Sequence, residues 1–386
     1  MHHRHLAMFH IAAQRRDLHL VQKSVVLRSL GISLLELFQP LFLLSNGLDL
    51  RLLMLFYAAQ FLFTAFLAPF VGQISARLGF ARASLLGLAS FAVYLVCFAS
   101  APAVHFTSLI PATLLWAIYE AVYWPNYHHN FCDLTNASVR GSQTGLMNLL
   151  MNGSRFISPV AGGLIITLFG FPTLFGIALL SIVLSAVPFF SEQTVTSLAD
   201  ERPVSIVKDL LAPQHRLQQI VFFSLGAIFF LMEFAWPIFL YRFLPDFGEL
   251  GLFTSIVTIL SAMVGALLML VIDRMVKSKL LVLGSIIYSA GWVLRSFIFD
   301  TFSFFMSDLV SRIGEGFVML PMFAMSYDLR ERQDHTSFQL QRILVVSLGY
   351  VGPALLIVAF GAPMLKVLLY TAPVFCFLLL GIIRIK

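Results

Sequence analysis

Apolar residues gather along this chain into runs of about 18 to 25, each closed by a short polar gap. That is the length an α-helix needs to cross a hydrocarbon core about 30 Å thick. Twelve such runs are predicted, over 25–45, 51–72, 83–101, 106–127, 142–169, 172–190, 218–240, 249–272, 279–299, 302–325, 339–360 and 364–384. The longest polar stretch, Ser191 to Arg216, separates them into two sets of six. The expected organisation is an N-terminal arm 1–24, a first six-helix bundle 25–190, a central linker 191–217 and a second six-helix bundle 218–386. The fold class is an all-α membrane protein of twelve transmembrane helices, and an even number of crossings puts both termini on one side.

Composition agrees with a lipid solvent. Of 386 residues, 59% are hydrophobic and 11% charged, with a mean hydropathy of +0.90; soluble domains carry about 25% charged residues. Arg15, Arg16, Lys23, Arg77, Arg82, Arg202, Lys208, Arg216, Arg274, Lys277 and Lys279 fall on the side of the termini, against Arg51, Arg242 and Lys366 opposite. The positive-inside rule therefore makes both termini cytoplasmic, and the compact loops point to the cell (inner) membrane of a bacterium or archaeon. The same bias accounts for the net charge of +6, so no nucleic-acid partner is expected. The first run spans a bilayer without a small-residue cleavage site and reads as a retained helix. His2, His3, His5 and His10 read as a solvated arm, and Cys97, Cys132 and Cys376 have no ligand spacing. No metal, cofactor or enzymatic activity is expected, for there is no nucleophile–base pair, phosphate loop or metal cluster. The expected partners are a small solute, protons and the bilayer, with the chain a monomer.

The two halves repeat one another. Glu36 precedes Pro40 in LELFQPLFL, and Glu233 precedes Pro237 in MEFAWPIFL, 197 positions later. Arg77 and Gly87 recur as Arg274 and Gly284 at the same offset; Glu120 and Asp133 recur as Glu315 and Asp328. Pro159 maps onto Pro353, and Phe169-Gly170-Phe171-Pro172 onto Phe360-Gly361-Ala362-Pro363. Repeats of this kind are a hallmark of secondary transporters.

Over essentially its whole length the chain resembles the major facilitator superfamily, in which two pseudo-symmetric six-helix bundles are joined by a cytoplasmic loop. The family's loop after the second helix reads Gly-x-x-x-Asp-Arg-x-Gly-Arg-Arg. Here Gly72, Arg77 and Gly79 fit, with Arg82 just beyond, while Ala76 and Phe80 depart from the pattern. The second copy keeps Asp273-Arg274 but has Met269 in place of the first glycine. The resemblance implies that these residues latch the cytoplasmic ends in one conformation. In the fifth span Gly145, Ser154, Ser158, Pro159, Gly162 and Gly163 resemble the motif of members that exchange a drug for protons, with serine twice replacing glycine. The arginine that such exchangers usually place in the fourth helix is missing.

Acidic residues inside a span need a partner, a water-filled cavity or a proton. Glu36, Glu120, Glu233 and Glu315 are the symmetry-related ones, and are candidate proton carriers or binders of a cationic group. Pro40 and Pro237 leave the carbonyls of Glu36 and Glu233 without helical hydrogen bonds and should kink both helices beside an acid. The acids are expected either to line a cavity or to pair with Arg155, Arg295 or Arg312, and Arg155 and Arg312 to pair with them or with an anion. Trp116, Glu120, Tyr123 and Tyr127 form a stripe at helical spacing that could stack on a flat or cationic solute, or could be ordinary interfacial packing. Tyr119, Tyr123, Trp124 and Trp236 complete the candidates; His128 and His129 lie in the interfacial belt. The function read from this pattern is a proton-coupled secondary transporter exporting a small organic solute by alternating access. The alternatives are an importer of a sugar, nucleoside or other metabolite, and, in another class, a non-transporting receptor or assembly protein on a transporter scaffold.

Overall fold

A computed structural model describes residues 20–134, 140–191, 198, 202–272, 276–298, 300–332 and 335–385. Twelve long helices occur among them: α1 (Leu20–Ser45), α2 (Leu50–Leu78), α3 (Phe80–Ala99), α4 (Leu109–Leu134), α5 (Arg140–Phe169), α6 (Phe171–Phe190), α7 (Pro213–Phe243), α8 (Phe247–Ile272), α9 (Lys277–Leu294), α10 (Thr301–Arg332), α11 (His335–Phe360) and α12 (Ala362–Arg384). Among the described residues nine helices are apolar and long enough on their own to cross a membrane. Several helices outrun their apolar segments on the side where α1 begins and α12 ends, called here the termini face. Hydropathy marks only the bilayer-deep part of a helix, whereas α10, with 32 residues, extends for about 48 Å at 1.5 Å per residue.

The two halves are built alike, and small residues show how. Gly87 of α3 lies against Tyr123 of α4, and Gly284 of α9 lies against Phe317 of α10. The turns between α5 and α6 and between α11 and α12 each place a glycine at positive φ, Gly170 at 79° and Gly361 at 76°, followed by a proline in the first helical turn. Only glycine adopts that backbone freely, and proline fits a first turn because its missing N–H has no intrahelical acceptor there. Gly79, at φ 77°, does the same between α2 and α3.

The halves meet along two seams, α2 against α11 and α5 against α8. At the second seam a Cβ on Gly163 would run into the Phe247 carbonyl and one on Gly251 into the Pro159 carbonyl, so the backbones touch directly. Ser255 Oγ accepts a hydrogen bond from the Val160 amide across it at 2.9 Å. On the face opposite the termini, Phe38, Phe42, Phe98, Phe171, Phe175 and Phe247 form a continuous aromatic layer. Deeper, Tyr57 meets Phe234 at 4.0 Å and Phe61 stacks on Tyr350 at 3.9 Å between ring centroids. The far face is therefore closed.

A short helix, Pro203–Leu210, lies in the segment between the halves. Its Ile206, with Leu198, joins a small buried cluster with Val71, Ala83, Ala121 and Val122 of the first half and Leu340 of the second, and the helix itself touches α2 and α11. Gln341 Nε2 donates to the Ile206 carbonyl at 3.5 Å.

Candidate functional site

Both acid-plus-proline helices are irregular where their sequences require it. In α1 the α-helix stops at Glu36, turns through Leu37 and Phe38 and resumes at Gln39, with Pro40 in its first turn. In α7 the interruption is a π-helical segment, Leu231–Ala235, centred on Glu233 and ending just before Pro237. A proline ring deprives the preceding turn of a hydrogen bond, and π-bulges recur at functional sites. Both carboxyls are thereby presented inward at mid-depth.

They are met there by charges from α4, α5 and α10. Arg155 Nη2 donates to Glu36 Oε1 at 2.9 Å, and the two side chains remain 48% and 31% exposed. Exposure that large, on groups in the middle of long helices, opens onto an internal space; a Cβ on Gly153, two residues before Arg155, would meet nothing within 4 Å. Glu233 and Glu315 lie within electrostatic reach of Arg155, and Glu120 within reach of Glu233. Tyr350 OH donates to Glu233 Oε2 at 2.9 Å, and Trp124 Nε1 donates to Glu120 Oε1 at 3.2 Å. Among the described residues, Glu120, Glu233 and Glu315 form no ion pair, which separates them from Glu36.

The alternative in which Arg295 and Arg312 pair with these glutamates is not what the structure shows. Both guanidiniums bind Asp308, at 2.6 and 3.0 Å. Asp308 is fully buried, and Arg295 is sandwiched between Trp236 at 3.6 Å and Trp292 at 4.0 Å. Arg312, 25% exposed, keeps Glu315 within electrostatic reach. Trp236 is accordingly packed away at 3% exposure rather than facing the internal space.

The α4 stripe divides in the same way. Tyr119, Tyr123 and Tyr127 stack in a buried column, whereas Glu120 and Trp124 are partly exposed. Behind them lies Arg28 of α1, 1% exposed, donating from Nη1 to Tyr119 OH at 2.7 Å and covered by the rings of Tyr123 and Trp124 at 4.7 and 4.5 Å. Sequence reasoning missed Arg28, Asp308 and Tyr350. Asp308 had a signal in its four-residue spacing from Arg312, and Arg28 had one as a lone base in an apolar span. Tyr350 had none.

Of the loop residues, Gly72 is buried, Gly79 makes the turn described above, and Arg77 and Arg82 are exposed. Asp273 and Arg274 lie outside the described residues. In the fifth-helix motif, Ser154 Oγ lies 3.1 Å from Ser33 Oγ of α1, and Ser158 is buried with its hydroxyl unpartnered. Pro159 sits inside α5, while a Cβ on Gly162 would come within 2.7 Å of the Phe38 ring. Gly162 and Gly163 thus pack α5 on α1 and α8. The surroundings of Gly145 fall outside the described set.

The sequence profile of the Major Facilitator Superfamily matches residues 24–349. No curated protein matches the chain by sequence. Among solved structures, the human organic anion transporter MFSD10 (TETRAN) is similar at a TM-score of 0.69 and 14% identity, over 97% of this chain and 99% of that one. The transporter FucP in its outward conformation is similar at 0.68 and 14% identity, over 95% and 97%. A structure from a study of proton-dependent oligopeptide transporters is similar at 0.65 and 13% identity, over 97% and 100%.

Proposed function

Since the chain belongs to the Major Facilitator Superfamily, with the fold of a secondary transporter of small molecules, we propose that it couples export of an organic solute to proton entry by alternating access. The two bundles, 25–190 and 218–386, would rock about the charged layer, with 191–217 joining them and the termini face cytoplasmic as the Lys/Arg distribution indicates. In each cycle one solute leaves and a proton is carried inward.

The observation that carries this reading is Glu233. Its carboxylate sits on a π-helical turn, accepts a hydrogen bond from Tyr350 OH and has no cation paired with it among the described residues. A carboxylate held at membrane depth by a hydroxyl alone can be neutralised by a proton without first breaking an ion pair. Tyr350 also stacks on Phe61 across the α2–α11 seam, so a change at Glu233 is felt where the halves meet. Glu120, bonded only to Trp124, is the second proton site, and Glu36 with Arg155 is the pair that a charged solute would open. The close packing of Gly162 on α1 and of Gly163 on α8 supports exchange without leakage, because it seals the path between these helices on the far face.

Proteoliposomes with a trapped pH dye test this. A solute that drives proton movement in the native protein should drive none in Glu233→Gln, while solute–solute exchange persists. Proton coupling retained in both Glu233→Gln and Glu120→Gln would overturn the assignment, and proton movement in the same direction as the solute would make the protein a co-transporter.

A further inference from the structure

Among the described residues Arg28, Arg155, Arg295, Arg312 and Arg342 lie within the spans; Arg28 apart, three of them hold a carboxylate and Arg342, 8% exposed, lies against the Phe222 and Phe323 rings. Arg155 binds Glu36, and Arg295 and Arg312 share Asp308. Arg28 has no acidic partner among the described residues, although it is the least exposed of the five, at 1%. Its guanidinium makes one hydrogen bond, to Tyr119 OH, and lies against the Tyr123 and Trp124 rings. Its Nε donates to nothing, and the Tyr123 hydroxyl in the same cage is also unpartnered. The field of Glu120 reaches Arg28, yet that carboxylate accepts from Trp124 Nε1 instead.

Two ring contacts and one neutral acceptor do not offset the desolvation of a full charge, and an orphaned buried donor adds its own penalty. Donors without an acceptor beside a cation without a counter-ion are complementary to an anion. We infer that Arg28, Tyr119, Tyr123 and Trp124 form the subsite for a carboxylate on the transported solute. This rests on the transporter reading above and narrows its substrate class to organic acids. The carboxylate accepts from Arg28 Nε and from Tyr123 OH, and the partly exposed Trp124, bonded to Glu120, covers the guanidinium.

Thermal unfolding and intrinsic tryptophan fluorescence of the detergent-solubilised full chain, in low-salt zwitterionic buffer, read this directly. The probes are acetate and benzoate against the uncharged isosteres acetamide and benzamide. Saturable stabilisation by the carboxylates alone is expected. In Arg28→Gln their apparent affinity should fall about 10- to 100-fold, the loss expected for a charged hydrogen bond. Without ligand, Arg28→Gln should melt no lower than the native chain, because glutamine still reaches Tyr119 and leaves no unpaired charge. The inference is overturned if no carboxylate stabilises the native chain, if the response survives Arg28→Gln, or if that variant melts well below native, which would make Arg28 a structural cation. Loss of the response in Glu120→Gln would also overturn it, by tying the carboxylate effect to Glu120. Glu233→Gln should keep the response whatever it does to proton movement, so a failure of coupling and a failure of this subsite are read separately.

Discussion

Replacing Gly251 by alanine tests whether the α5–α8 seam holds the far face closed. A Cβ there would overlap the Pro159 carbonyl oxygen, lie 3.0 Å from its carbon and 3.3 Å from Gly163 Cα. These neighbours are backbone and cannot rotate away, so the helices must separate by on the order of 1 Å to recover ordinary contact. Overpacking of this kind costs about 1–3 kcal/mol. Alanine also favours the helix by about 1 kcal/mol over glycine, but that gain is common to every conformation with α8 intact. The conformational equilibrium therefore feels the whole overpacking penalty, a shift of about 5- to 150-fold away from the closed far face. Spin labels at the exposed Thr173 and Glu249, in a chain with its cysteines replaced, report the width of the seam by distance measurement. Gly251→Ala should move the distribution to longer distances. Gly176→Ala, where a Cβ would meet nothing within 4 Å, should leave it unchanged. Identical distributions in the native chain and Gly251→Ala would refute the reasoning.

Two further outcomes follow from the charges. Asp308→Asn should destabilise by about 3–5 kcal/mol, since it leaves two guanidiniums without their buried carboxylate, whereas Glu36→Gln, from a half-hydrated pair, should change stability by about 1 kcal/mol or less; equal melting temperatures for the two variants would contradict the burial seen here. At the start of α10, Asp300 accepts from the Ser303 hydroxyl group and backbone amide, which holds its carboxyl below the ordinary aspartate value. A depressed native value means that this cap is in full force above about pH 4 and is lost as the pH falls through the lowered value; an NMR titration midpoint at or above that of an ordinary aspartate would refute it.

How much the sequence discloses depends on the range of the interaction. The helices were legible because the bilayer imposes a length on each one, and the breaks at Pro40 and Pro237 because proline acts within a turn. That one break is a two-residue turn and the other a π-helical segment was not legible, since the choice depends on packing between helices. The candidate site divides along the same line. Glu36, Glu120, Glu233 and Glu315 stand out as acids in apolar runs, and Glu120 meets Trp124 one turn away, but the partners of Glu36 and Glu233 come from residues far away in the chain. Arg155 is 119 positions from Glu36 and Tyr350 is 117 from Glu233. Asp308 was within reach of a local rule and holds two of the arginines that had been alternatives as partners of the glutamates.

The segment joining the halves is more than a connection. Through the short helix Pro203–Leu210 it is seated on α2 and α11 at once, beside only one of the two seams. A strap fastened on one edge of a two-part body turns any parting of the parts into a swing about that edge. In the proposed rocking the strap would restrain the α2–α11 edge at the termini face, so groups there on α5 and α8 would travel farther than groups on α2 and α11.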